Sequence, residues 1–143
     1  MRQFSQNIEE KNKLYDENAI PSNHEGLAVL CTKCQHSSTS NGFFCEFCHY
    51  LKNPILILDK LNYYEAFHLT PLYPVDYHKL EEEYYKLQRN LHPDKFQQFE
   101  KTLVEMANLY SAYINLAYHT LKDDYLRAKY LVIDLPFKLL SLN

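Results

Sequence analysis

One proline separates two of the most regular helical patterns in the chain, and that arrangement restricts the fold more than any other feature. Tyr77, Leu80, Tyr84, Leu87 and Leu91 recur at intervals of three and four, as do Leu103, Met106, Tyr110, Tyr113, Ala117 and Leu121. Such spacing puts each set on one face of an α-helix. Pro93 lacks a backbone donor and clashes with a preceding helical turn, so the first helix has to stop by Leu91 or His92. The chain therefore writes two long helices with an enforced break between them.

Local signals fix the surroundings of this pair. Asp76 is a good N-cap for the first long helix, with Val75 and Leu80 at the two positions of a hydrophobic staple. Upstream, Asn62 can cap a short helix over about Tyr63 to Phe67, and Glu65 can reach back to complete a capping box. Pro71 and Pro74 break the chain after it. The second long helix is expected to begin near Thr102 or a few residues earlier, with Thr102-x-x-Glu105 as a candidate capping box. A last short helix is expected from Asp124 to about Ile133, with Pro136 beyond its end. No internal repeat is evident.

The four cysteines are confined to one segment: Cys31-x-x-Cys34, ten intervening residues, then Cys45-x-x-Cys48. Two residues between cysteines let both thiolates of a pair reach one tetrahedral ion, and two pairs close a structural zinc site with no open position. Two disulfides or four unrelated thiols are the alternatives. Disulfides are disfavoured because the N-terminus has no apolar signal core; Glu9 and Glu10 there weaken a transit-peptide reading, while Arg2, Phe4 and Ser5 leave a short presequence open. His36 and His49 stand beside the pairs and can substitute as ligands, but four thiolates already satisfy zinc. The surrounding segment reads as two short arms, GLAVLCTKC and GFFCEFC, joined by a polar stretch ending in an Asn41-Gly42 turn.

Composition excludes several functions. Only Gly26 and Gly42 are available as glycines, too few for a dinucleotide fingerprint or a P-loop. A net charge of -3 and a pI near 6.1 argue against general nucleic-acid binding. Apolar runs such as Ile55 to Leu58 are far too short to span a membrane. No nucleophile–base pair or open metal site is written in the chain, so an enzyme is the least supported reading.

The tripeptide His92-Pro93-Asp94 lies at the break, after a helix whose outward stripe reads Lys79, Glu82, Lys86, Arg89. Short helix, long helix, His-Pro-Asp loop, long helix resembles a J-domain. The wording is closer still to the HscB or Jac subfamily of iron–sulfur cluster co-chaperones. It includes Tyr63-Tyr64-Glu65-Ala66-Phe67, Leu87 to Phe96 (LQRNLHPDKF), Ile114 to Leu121 (INLAYHTL) and Leu126 to Leu131 (LRAKYL). The resemblance covers about Leu61 to Asp134, and the four-cysteine segment is similar to an extension found on eukaryotic members.

What the resemblance implies is a mainly α fold: an antiparallel helical hairpin with short flanking helices, preceded by a small zinc-ribbon-like β-hairpin module. The expected organisation is a loose tail over residues 1–23, a zinc module over 24–53, the J-domain over 54–135 and a short tail over 136–143. The implied work is stimulation of ATP hydrolysis by a DnaK-type chaperone. His92, Pro93 and Asp94 would dock on it, with Lys79, Lys86, Arg89 and Lys95 giving electrostatic complementarity. Cys31, Cys34, Cys45 and Cys48 would hold structural Zn2+.

A solvated mixed-charge face is the competing reading of the stripe, since Glu81, Glu82 and Glu83 share the helix and Glu82 can pair with Lys86. Tyr118 is expected to pack and Asn115 to fix local geometry. Members of the subfamily also carry a helical domain that grips an iron–sulfur scaffold protein, for which residues 136–143 are too short. If the sequence is complete, scaffold contact is expected to be lost, moved to the zinc module, or made by Phe137, Leu139 and Leu140 within a homo-oligomer. Two other functions stay open: a J-domain adaptor for a different client chosen by the zinc module, and a zinc-ribbon nucleic-acid binder. The resemblance places the protein in a mitochondrion or related organelle; otherwise the cytoplasm is expected, without membrane association.

Overall fold

Side chains that take a backbone N–H decide where most of the helices start. The computed structural model of the protein describes residues 28–38, 42–136 and 138, and the chain divides into two units, Met1–Asn53 and Pro54–Asn143. The tail expected over 1–23, Gly26, Asn41, Phe137, Leu139 and Leu140 lie outside the described residues.

In the second unit the chain first forms helix α1 (Pro54–Leu58), which buries Pro54 and Ile57. The ILIL run alone did not announce a helix, because so short an apolar run has no readable period. Helix α2 (Tyr63–Ala66) starts from the expected capping box. Asn62 Oδ1 accepts from the Glu65 N–H at 2.9 Å, and Glu65 Oε2 accepts from the Asn62 N–H at 3.0 Å. The helix closes as a Schellman motif, Leu69 N–H to Tyr64 O at 2.9 Å and His68 N–H to Glu65 O at 3.1 Å. His68 takes the left-handed position, φ 52°, that glycine usually fills.

Helix α3 (Tyr77–Leu91) is capped by Asp76, which accepts from the Lys79 N–H at 3.1 Å. It buries Leu80, Leu87 and Leu91. Tyr77, at the start of the predicted stripe, is half exposed and donates to Asp124 Oδ1 at 2.8 Å instead of entering the core. A 3-10 turn over Pro93–Phe96 follows.

Helix α4 (Lys101–Lys122) begins earlier than the Thr102 box required. Glu100 is its N-cap without a side-chain bond, and Thr102 lies inside the first turn. Its buried face is Leu103, Met106, Ala107, Tyr110, Ile114, Ala117, Tyr118 and Leu121. Helix α5 (Asp124–Lys129) is capped by Asp123 and widens into a π turn over Tyr130–Asp134, so the single last helix of the sequence reading is two geometries in succession.

Helices α1, α2, α3 and α5 all pack on α4. Contacts between α3 and α4 pair Glu81 with Tyr118, Tyr84 with Asn115, and Gln88 with Asn115. Numbers rising along one helix fall along the other, so the two are antiparallel. Tyr64, Phe67, Leu80, Leu91, Tyr110, Ile114 and Leu121 form the fully buried centre.

In the first unit, β1 (Val29–Leu30) pairs antiparallel with β2 (Ser37–Ser38), Val29 opposite Ser38 and Leu30 opposite Ser37. Fourteen residues on, Phe44 faces Leu51 in an isolated antiparallel bridge. The same pattern has been built twice. Gln35 N–H bonds to Cys31 O and His49 N–H to Cys45 O, while Cys31 N–H bonds to His36 O and Cys45 N–H to Tyr50 O. Gln35 (φ 60°) and His49 (φ 54°) hold equivalent left-handed positions. The segment VLCTKCQHSS is thus repeated as FFCEFCHYLK, an internal repeat that the sequence reading did not find.

Candidate functional site

Each copy of the repeat delivers two sulfurs from a tight turn. Cys31 Sγ lies 3.5 Å from Cys48 Sγ and Cys34 Sγ 3.7 Å from Cys45 Sγ. All four sulfurs lie within 4.8 Å of one another. A tetrahedral zinc with Zn–S bonds of about 2.3 Å requires sulfurs about 3.8 Å apart, so the four positions fit a metal ion with little movement. Cys31 and Cys45 are buried, Cys48 is partly covered and Cys34 is exposed.

The electrostatics favour thiolates at part of the set. Burial opposes ionisation of Cys45, but the N–H groups of Cys48 and Phe47 and the neighbouring thiols outweigh it, and its pKa falls to about 7. Burial pushes Cys48 up to about 12, so a metal rather than pH alone would hold it ionised. The ligand cluster consists of the four cysteines without His36, whose ring lies against that of Phe47, centroids 3.3 Å apart and planes tilted by 36°. At the equivalent place in the repeat, the Lys33 ammonium sits 5.3 Å from the centre of the Tyr50 ring.

Lys52 was not anticipated. It is 1% exposed and donates to Ser38 Oγ at 3.1 Å. Burial pushes its pKa below the usual lysine range, while Glu46, Cys45 and Cys31 pull it back up. No sequence signal marks it, since lysine is ordinarily exposed.

At the far end of α3 the backbone turns at His92, which is extended (φ -62°, ψ 129°), as a residue before proline should be. The two candidate side chains face outward, His92 52% and Asp94 72% exposed. They are also held. His92 Nδ1 accepts from the Asp94 N–H at 3.3 Å and lies 3.5 Å from Asp94 Oδ2. Gln97 Nε2 donates to Asp94 Oδ1 at 3.0 Å. Gln97 was missed by the sequence reading, although its place three residues after Asp94 in a tight turn was the available clue.

Lys79 and Arg89 are exposed on α3, Lys86 is partly covered, and Lys95 is exposed in the 3-10 turn. At about 1.5 Å per residue the stripe from Lys79 to Arg89 is about 15 Å long. The expected Glu82–Lys86 pair is replaced by Lys86–Glu83 at 3.5 Å, so Lys86 leans toward one edge of the stripe. Glu82 remains exposed among the cations, and the face is mixed in sign.

Behind the stripe, Asn115 accepts from the Tyr84 hydroxyl at 2.9 Å and from Gln88 at 2.5 Å. Tyr118 is buried and stacks on Tyr84, centroids 3.9 Å apart. These are the packing and positioning roles anticipated for the two residues.

A short capped helix, an antiparallel helical hairpin and an outward His-Pro-Asp turn at its end define a J-domain, here with a four-cysteine module before it. In sequence and in fold the chain resembles HscB-type co-chaperones. It is 41% identical over 73 residues to the co-chaperone protein HscB homolog of Psychromonas ingrahamii, covering 51% of this chain and 43% of that protein. It is 32% identical over 111 residues to the iron-sulfur cluster co-chaperone protein HscB of Mus musculus, covering 76% of this chain and 46% of that one. The second match is longer than Pro54–Asn143, so it runs into the four-cysteine unit. The crystal structure of human co-chaperone protein HscB superposes with a TM-score of 0.64 at 30% identity, covering 71% of this chain and 52% of that one. No family model matches the chain. The chain spans less than half the length of the curated relatives it matches. Among the described residues no helix is long and apolar enough to cross a membrane.

Proposed function

We propose that the protein is a J-domain co-chaperone that stimulates ATP hydrolysis by a DnaK-type chaperone in iron–sulfur cluster transfer. The observation that carries this reading is the outward presentation of His92 and Asp94 on a turn stiffened by Pro93 and tied by Gln97. A carboxylate held in one orientation can take a charge-assisted bond from a partner arginine without first losing side-chain freedom. Lys79, Lys86, Arg89 and Lys95 would attract an acidic partner surface and orient the encounter. Iron–sulfur work is supported by the similarity to the mouse protein, and a mitochondrion or related organelle is the matching compartment.

Zinc, held by Cys31, Cys34, Cys45 and Cys48, would supply folding energy in a closed site rather than chemistry. The test of the main reading is steady-state ATP hydrolysis by a cognate chaperone with added protein. Asp94→Asn keeps the size of the side chain and should lose at least about tenfold of the stimulation, a change of about 1.4 kcal/mol in barrier. Equal stimulation by the two proteins would end the proposal.

A second reading is an adaptor whose four-cysteine unit chooses another client, favoured by the exposure of Leu30 and Phe47 on that unit. Retention of an iron–sulfur scaffold protein in a pull-down supports the first reading. A clean negative, with ATPase stimulation intact, supports the second.

A further inference from the structure

We propose that Lys52 partly balances the charge of the four-thiolate metal site, its buried ammonium offsetting one of the two net negative charges left when a divalent ion is bound by Cys31, Cys34, Cys45 and Cys48. The inference rests on the metal reading above and adds a residue outside the ligand set.

Four thiolates and one divalent ion sum to two negative charges, and two of the sulfurs belong to buried residues, Cys31 at 1% and Cys45 at 0% exposed. Buried charge of one sign is costly unless an opposite charge is near. Lys52 meets that need from within the same unit. It is as buried as Cys31 and Cys45, and the charges of Glu46, Cys45 and Cys31 all act on it in the sense that favours its ammonium form.

Its position is set by the repeat. Lys52 occupies the place that Ser38 holds fourteen residues earlier, and the Lys52 Nζ to Ser38 Oγ bond therefore joins equivalent positions of the two copies. The Lys52 N–H also bonds to Phe43 O at 2.9 Å, which fixes the start of the side chain. A lysine serving solubility would be exposed, as Lys33 is in the same unit. Partners of this kind around metal ligands change metal affinity by about 10- to 100-fold when removed.

The test uses the full chain. Zinc affinity is read by competition with a chromophoric chelator, and the ligand set by the absorption of the cobalt(II) form. Lys52→Met should bind zinc about 10- to 100-fold more weakly with a cobalt spectrum still that of four thiolates. Ser38→Ala, which keeps the charge and removes one bond, should lose less than about threefold. Glu46 is exposed and acts on Lys52 in the same sense as Cys45 and Cys31, so Glu46→Lys, which replaces one more negative charge of the unit by a positive one, should tighten binding by a few-fold.

A wild-type chain that takes up no stoichiometric zinc or cobalt overturns the metal reading itself. Wild-type binding with unchanged affinity in Lys52→Met overturns only the role of Lys52. If Lys52→Met fails to give a four-thiolate spectrum, Glu46→Lys decides: tighter binding supports the charge-balance role and unchanged affinity refutes it.

Discussion

Arg127 shows how one side chain can tie together segments far apart in the chain. It is 3% exposed and donates Nε to Tyr73 O at 2.8 Å, Nη1 to Leu121 O at 2.7 Å and Nη2 to Asp124 Oδ1 at 2.5 Å. The guanidinium lies 4.8 Å from the Tyr73 ring centre and 5.5 Å from that of Tyr77. The Tyr77 hydroxyl and then Arg127 hold the Asp124 carboxyl below the usual carboxylate range. The two carbonyls and the carboxylate are each met by a different nitrogen of the planar guanidinium, whereas lysine offers a single nitrogen. Arg127→Met would leave two backbone acceptors without this donor and should lower stability by about 2–4 kcal/mol. Urea unfolding followed by helical circular dichroism measures it; a loss under about 1 kcal/mol, or full recovery in Arg127→Lys, would contradict this account. None of this could be foreseen from the chain, because a carbonyl 54 positions away carries no residue-type signal.

At the scale of elements, the junction of α3 and α4 combines a legible and a hidden part. The apolar stripes were readable because burial selects residue type at helical spacing, and Leu80, Leu87, Leu91, Leu103, Met106, Tyr110, Ala117 and Leu121 are buried as their spacing required. The capping box at Asn62 and the cap at Asp76 were readable for the same reason, since few side chains can reach those N–H groups. Helix α1, the π turn and the fourteen-residue repeat were not. The first two depend on tertiary packing, and the repeat keeps its backbone hydrogen bonds while retaining little but its cysteines in sequence.

The polar seam between the helices is the part that joins the fold to the proposed docking face, because it sits behind Lys86 and Arg89. Tyr84 and Gln88 both donate to the Asn115 carbonyl oxygen, which fixes how α3 is rotated on α4. In a double-mutant cycle of Tyr84→Phe and Asn115→Ala the two changes should couple by about 0.5–1.5 kcal/mol. Additive losses would mean that the seam is incidental and that the apolar stripes alone set the rotation.

For the whole molecule, the two units draw on different sources of stability. Pro54–Asn143 has an apolar centre of large side chains, and burial of each is worth about 1.5–3 kcal/mol. Among its described residues, Met1–Asn53 buries Val29, Cys31, Phe43, Cys45 and Leu51 with Ser38 and Lys52. That is a small interior for a unit containing two left-handed non-glycine residues, Gln35 and His49, each costing about 1–2 kcal/mol. A core of this size ordinarily needs a metal or disulfide to hold. Removal of bound metal by a strong chelator under reducing conditions should therefore melt the first unit while the helical signal of the second persists. Hydrogen exchange at the amides of Cys31, Gln35, Cys45 and His49, which all bond within the two turns, reports the first event, and circular dichroism at the helical bands reports the second. Protection that survives at those four amides after the metal is gone would show that apolar burial alone suffices there, and would remove the structural role assigned to the thiolate site.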